Sequence, residues 1–149
     1  YLLLRDGDAG VIGHTMAEPD LRTFLRQPWT MVASDGGIGF SHPRGAGTFP
    51  RVLGVYVRDD KVLRLEDAVR KMTSLNAAKI GLRDRGLLRP GAFADLTLFA
   101  PDRVRDQATY TAPFAYNEGI EYVIVNGVVV LEKGEHTGAK PGRVLRRGT

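Results

Sequence analysis

Hydrophobic and polar positions along this chain change period several times. Val11-Ile12-Gly13-His14-Thr15-Met16 is a short apolar run that reads as a strand. Residues 17–26 read as a helix, with Leu21, Phe24 and Leu25 at helical spacing. Glu18, Pro19 and Asp20 stand in its first turn, where carboxylates suit the helix dipole and a proline loses no hydrogen bond. Gln27-Pro28 ends it. Residues 29–33, Trp29-Thr30-Met31-Val32-Ala33, read as a second strand, which runs into Ser34-Asp35-Gly36-Gly37. Strand, helix, strand in that order predicts a parallel βαβ unit.

The chain from Gly36 to Gly54 is rich in glycine and proline and reads as a long loop, of the kind that more often carries function than not. Val52-Leu53-Gly54-Val55-Tyr56-Val57 is apolar throughout, and its period fits a buried helix or a strand equally. Residues 65–78 give the clearest helical pattern: Leu65, Ala68, Val69, Met72 and Leu75 make one apolar face, with Glu66 and Asp67 early and Arg70 and Lys71 late. Ser74 reads as the cap of a second short helical segment ending at Gly81. Leu87-Leu88-Arg89-Pro90-Gly91 is a turn, and residues 94–99 alternate like a strand. Residues 100–119 look irregular. Residues 121–131 form a hairpin pattern around Asn126-Gly127, the pair best suited to two successive positive φ angles. The first half is therefore expected to be α/β and the last third β-rich.

Composition narrows the class. A chain of 149 residues with 43% hydrophobic content can bury the core of one domain. Its net charge of +4 is concentrated in part at Arg143, Arg146 and Arg147. No aromatic residue is interleaved there, so a solvated tail fits better than a nucleic-acid contact. The chain contains no cysteine, which excludes disulfides, thiolate metal ligands and a cysteine nucleophile within it. That fits a reducing compartment, and a cytoplasmic location is expected. No apolar run approaches the ~20 residues of a membrane span. The opening Tyr1-Leu2-Leu3-Leu4 has no basic region before it and meets Arg5-Asp6 at once, unlike a signal peptide. A first residue that is Tyr rather than Met points to a piece of a longer protein. Asp6-Gly7-Asp8 lacks the ligand ladder and closing Glu of a calcium loop.

Asp35 is the first chemical candidate. It stands where an apolar strand gives way to a glycine-rich loop, and the C-terminal rim of an α/β barrel carries its catalytic side chains at such positions. An Asp before Gly is also an ordinary turn pair. The histidines, His14, His42 and His136, are too far apart for a local metal motif. Ser34 has no evident Ser-His-Asp constellation around it. His42 precedes a proline and reads as structural, and His136 reads as solvated.

A resemblance now sharpens the picture. Thr73-Ser74-Leu75-Asn76-Ala77-Ala78, followed by Gly81-Leu82-Arg83-Asp84-Arg85-Gly86-Leu87-Leu88-Arg89-Pro90-Gly91-Ala92-Phe93-Ala94-Asp95-Leu96, resembles the C-terminal signature of the metal-dependent amidohydrolase superfamily. Three further stretches resemble its D-aminoacylase (N-acyl-D-amino-acid deacylase) branch. They are Pro28-Trp29-Thr30-Met31 into Ser34-Asp35-Gly36, His42-Pro43-Arg44 with residues 47–54, and Gly138-Ala139-Lys140-Pro141-Gly142-Arg143-Val144-Leu145-Arg146. The resemblance implies an α/β fold: the C-terminal fragment of a TIM-barrel amidohydrolase, its last βα units, followed by part of a small β-sandwich domain. It divides the chain into 1–85, the end of the barrel, and 86–149, part of the sandwich. The family's main ligands, a His-x-His, a Cys or modified Lys and two further histidines, have no counterpart here, so an isolated chain of this kind is expected to be inactive and to expose apolar faces.

The resemblance also implies the chemistry. The intact enzyme would hydrolyse a linear amide with zinc, most simply an N-acyl-D-amino acid to a carboxylate and a D-amino acid. Zinc lowers the pKa of water and polarises the carbonyl, and a neighbouring carboxylate handles the proton. Asp35 matches the family's catalytic Asp, beside the metal and able to contact it as a weak or outer ligand. Arg44, on the glycine-rich loop, is the candidate for clamping the substrate carboxylate, because a guanidinium binds such a group bidentately; a surface arginine, or one paired with a structural acid, is the plainer reading. Arg51 is a second choice. Met16 and His14 are candidates for lining the substrate pocket, against plainer readings as rim packing and a hydrogen-bonded non-catalytic histidine. The partners implied are a small-molecule N-acyl amino acid and the remaining N-terminal part of the enzyme, without nucleic acid or membrane. Alternatives are a dihydroorotase- or hydantoinase-like cyclic amidase and a non-catalytic remnant or interaction module.

Overall fold

A computed structural model describes residues 15–37 and 42–146. The expected strand over 11–16 falls mostly outside the described residues, as do His14, the Asp6-Gly7-Asp8 turn and Arg147. Thr15 and Met16 are described and lead without regular structure into the first helix.

Helix α1 spans Glu18–Arg26. It matches the helical pattern with one difference: Leu25 is buried and Leu21 half-buried, while Phe24 is exposed. Residues 29–33 correct the sequence expectation more strongly, because they do not form a strand. Burial still alternates, with Thr30, Val32 and Ser34 turned inward and Trp29, Met31 and Ala33 outward. A strand also needs a ladder, and here the main chain bonds to helices instead. The Val32 N–H donates to the Lys71 carbonyl at 3.0 Å, and the Asn76 amide donates to the Val32 carbonyl at 2.8 Å. The parallel βαβ unit is therefore not formed among the described residues.

The glycine- and proline-rich stretch expected to be a loop contains helix α2, Arg44–Arg51, which continues without interruption into a π-helical segment, Val52–Asp59. Pro50 lies inside α2. A proline has no N–H to give to the carbonyl four residues back. That carbonyl belongs to Ala46, and the Asn117 side-chain amide, from the loop facing α2, donates to it at 3.0 Å. The apolar run that fitted helix or strand is thus helical, with Val52, Leu53, Gly54 and Tyr56 buried.

The long helical pattern of 65–78 is broken at Thr73, whose φ of −130° and ψ of −90° lie outside the helical region. Helix α3 is Leu65–Met72 and α4 is Ser74–Ile80, closed as expected by Gly81 in the left-handed region; Ser74, expected as the cap, is instead the first helical residue, and Thr73 stands at the N-cap without a side-chain cap bond. The chain then builds a four-stranded antiparallel meander of β1 (Leu96–Phe99), β2 (Ile120–Val125), β3 (Val128–Glu132) and β4 (Glu135–His136), in the order β1-β2-β3-β4. Asn126 and Gly127 both take positive φ, 49° and 80°, as the hairpin requires. Residues 100–119 are irregular apart from a bridge between Arg105 and Glu118.

The core lies where the π-helical segment meets its neighbours. Leu25, Val32, Val52, Leu53, Tyr56, Val62, Leu63, Ala68 and Val104 form one buried cluster, with Phe99 and Ile120 of the sheet packed on it. Large apolar side chains also remain exposed, among them Trp29, Leu88 and Phe114. The described architecture is thus α/β: helices around a small core and one antiparallel sheet.

Candidate active site

Asp35 is held by what surrounds it in sequence. Val32 is buried in the core, and both polar groups of its main chain are bound to α3 and α4. Ser34 turns its hydroxyl back to accept the Gly36 N–H at 3.3 Å. The loop then comes so close to the start of α2 that a Cβ on Gly36 would lie 2.9 Å from the Gly45 carbonyl oxygen. This contact sets Asp35 beside the first turn of α2, and the Arg44 guanidinium meets the Asp35 carboxylate there at 2.8 Å.

Two residues singled out separately in the sequence are therefore in direct contact. Their side chains are 62% and 53% exposed. An ion pair this open contributes at most about 1 kcal/mol to stability. Helix α2 is itself positioned from below: Asn117 holds the Ala46 carbonyl, Gly47 packs against Asp106, and Arg51 pairs with Asp106 at 3.3 Å. Burial lowers the Arg51 pKa, and the Asp106 carboxylate together with the Tyr56 hydroxyl outweighs that effect and raises it. Arg51, the second choice for the clamp, is thereby engaged in fastening α2 to the 106–117 loop. His42 sits with its ring edge-on to Tyr110, 5.2 Å between centroids, and its Nδ1 accepts the Arg44 N–H at 3.1 Å. The plainer structural reading of His42 agrees with that geometry.

Met16 is 67% exposed just ahead of α1. The structure places it on the surface. An apolar cavity of about 490 Å³ lies between α2, α3 and the sheet, lined among others by Phe49, Leu53, Met72 and Phe99. Neither Asp35 nor Arg44 lines it, so the candidate site is an open surface. Among the described residues no group of three or more His, Asp or Glu side chains converges as a metal site would require. The described donor set, one carboxylate against one guanidinium, does not hold a metal ion by itself. Sequence reasoning missed Lys71. This residue is only 2% exposed, although its place late in a charged helical pattern marks it as no more than a basic residue suited to the dipole.

Comparison with known proteins shows the family. The amidohydrolase family profile matches residues 2–131. The chain is 47% identical over 98% of its length to an N-acyl-D-aspartate deacylase, and 48% identical over 93% to a D-aminoacylase, both of Alcaligenes xylosoxydans xylosoxydans. It spans about 30% of the length of these relatives. Among solved structures it is similar to a D-aminoacylase (TM-score 0.84, 49% identity), covering 89% of this chain and 28% of that one. It is likewise similar to the N-acyl-D-glutamate deacylase of Bordetella bronchiseptica, solved with zinc and a phosphonate mimic of the tetrahedral intermediate. There the TM-score is 0.80 and the identity 43%, over 88% of this chain and 28% of the other. Fold, motifs and family profile converge: this chain belongs to the amidohydrolase family.

Proposed function

We propose that this chain is the C-terminal part of an N-acyl-D-amino-acid deacylase, with residues 1–85 completing a catalytic barrel and 86–149 forming part of a β-sandwich. In that enzyme Asp35 moves the proton and Arg44 binds the substrate carboxylate. One observation carries the reading: the Asp35 carboxylate and the Arg44 guanidinium are 2.8 Å apart on an accessible surface. An N-acyl amino acid has its carboxylate and its scissile nitrogen on the same Cα. A carboxylate clamp and a proton-transfer group serving such a substrate must therefore be neighbours. The relatives include deacylases of N-acyl-D-aspartate and N-acyl-D-glutamate and a D-aminoacylase at 46–48% identity. The likeness supports the class of substrate without selecting one side chain.

In this reading the Arg44 guanidinium lies against the Asp35 carboxylate until substrate arrives. Substrate enters, its carboxylate takes the guanidinium, and Asp35 is left facing the amide. Asp35 then accepts a proton from the attacking water and returns it to the departing nitrogen, so the proton count closes within one turnover. Zinc, if held by the remaining part of the enzyme, would supply Lewis acidity beside this pair. Met16, exposed just ahead of α1, would line the wall that receives the acyl or side-chain group once the rest of the barrel is present.

The test uses the full-length, zinc-loaded parent enzyme. Asp35→Asn lowers kcat by about 10²–10⁴-fold, the usual worth of a general acid/base, while zinc content stays near that of the wild type. Arg44→Lys raises KM for N-acyl-D-amino acids with a smaller change in kcat. Wild-type turnover of hydantoins in place of N-acyl-D-amino acids, or full activity of Asp35→Asn, would refute the proposal.

A further inference from the structure

Lys71 is a buried ammonium group whose hydrogen bonds go to the main chain. It donates to the carbonyls of Gln27 and Thr30, the latter at 3.0 Å. Such a group is costly to bury unless hydrogen bonds satisfy it, as these carbonyls do. Burial pushes its pKa down, and the neighbouring Arg70 adds to the effect. The break between α3 and α4 then gains a purpose. The last carbonyls of a helix have no partner within it, and ending α3 at Met72 leaves the Lys71 carbonyl able to accept the Val32 N–H. Restarting the helix at Ser74 brings Asn76 round to donate to the Val32 carbonyl. Arg70 adds a bond to the Pro28 carbonyl at 3.1 Å. Three side chains and one carbonyl, all between Arg70 and Asn76, thus grip residues 27–32. The gripped segment ends just before Asp35.

We propose that Lys71 and Asn76 are positioning residues for Asp35, acting through the main chain of residues 27–32. This rests on the deacylase reading. It extends that reading to residues whose hydrogen bonds go to the segment leading into Asp35. Arg44 rides on α2, which Asn117 and Asp106 hold separately, so loosening the grip moves the proton-transfer group and leaves the carboxylate clamp in place.

The experiment compares Asn76→Leu, Lys71→Met and Lys71→Arg in the full-length zinc-loaded enzyme. Displacing a catalytic group by about 1 Å costs on the order of 10²-fold, so kcat falls roughly 10- to 100-fold in Asn76→Leu and Lys71→Met. KM stays within about threefold. Lys71→Arg, which still donates to carbonyls, recovers most of kcat. Hydrogen exchange at the Val32 amide rises at least about tenfold in Asn76→Leu, while amides inside α3 keep their protection. If Lys71→Met does not fold, Asn76→Leu, which removes one part-buried hydrogen bond, decides the question. A folded Asn76→Leu enzyme with wild-type kcat, or an unchanged Val32 exchange rate, overturns the proposal. A wild-type enzyme that fails to cleave N-acyl-D-amino acids overturns the deacylase reading instead, and Val32 exchange still decides the grip.

Discussion

Pro50 and Asn117 should be energetically coupled. Pro50 withholds the hydrogen bond that the Ala46 carbonyl would receive in an uninterrupted α-helix, and Asn117 supplies it from outside at 3.0 Å. In Asn117→Leu that part-buried carbonyl loses its partner. Leaving such a group unpaired costs about 1–3 kcal/mol. Some of this is offset, because the Asn117 Oδ1 is itself buried with no partner among the described residues and disappears with the substitution. A net loss of about 1–2 kcal/mol follows, which for a chain of this length lowers Tm by roughly 2–8 °C. Pro50→Ala restores a main-chain N–H at that position, and this donor can reach the Ala46 carbonyl. Adding Asn117→Leu to that background should then cost close to nothing. The double-mutant cycle therefore yields a coupling of about 1–2 kcal/mol, read by circular dichroism during thermal or urea unfolding. Residues without a shared partner give additive effects within about 0.5 kcal/mol. Additivity within that margin would refute the argument that Asn117 stands in for the bond missing at Pro50.

Two further outcomes follow from the packing. Asp95 accepts the Asn126 N–H at 2.8 Å and pairs with Arg85, whose guanidinium stacks on Phe93 at 4.3 Å. Burial opposes ionisation of Asp95, but these bonds outweigh it and hold its pKa below the ordinary 3.8. The unfolded chain thus binds the proton more readily. The stabilisation is complete above about pH 4 and is lost as pH falls through the lower folded value. Urea midpoints followed from about pH 5 to about pH 2 should fall, with a shallower fall in Asp95→Asn; parallel curves would contradict this. Gly119 has a φ of +74°, and a Cβ there would lie 2.7 Å from the main chain of Val104, which is fully buried. Gly119→Ala should lose about 2–5 kcal/mol from left-handed strain and overpacking; a loss below about 1 kcal/mol in chemical denaturation would show that this approach relaxes.

What could be read from the sequence was whatever is decided locally. The acidic first turn of α1, the Asn126-Gly127 hairpin and the Gly81 cap each depend on a few adjacent residues, and each is where the pattern placed it. What could not be read depends on partners distant in the chain. Helix α2 contradicts its own glycines and proline because Asn117, 71 positions from Ala46, supplies the missing bond. The apolar face running through 65–78 gave no sign of the break at Thr73, since Leu75 continues the helical spacing across it. Residues 29–33 have the alternation of a strand, but their hydrogen bonds go to α3 and α4. Asp35 and Arg44 could each be picked out by residue type and position. Their contact depends on how closely Gly36 approaches Gly45, which no local pattern encodes.

Trp29 is the chain's single tryptophan, and it stands 69% exposed on the gripped segment. Its neighbour Thr30 gives its carbonyl to Lys71. The position of this one indole makes it an intrinsic optical probe of an unusual kind. At that exposure its emission in the folded chain is expected to lie close to that of an indole in water, so unfolding should change its colour little. Any surface that comes to cover residues 29–31 will shift the emission to the blue and shield it from a soluble quencher. Fluorescence from this chain therefore reports what settles beside the segment carrying Asp35, at micromolar concentrations and without a label.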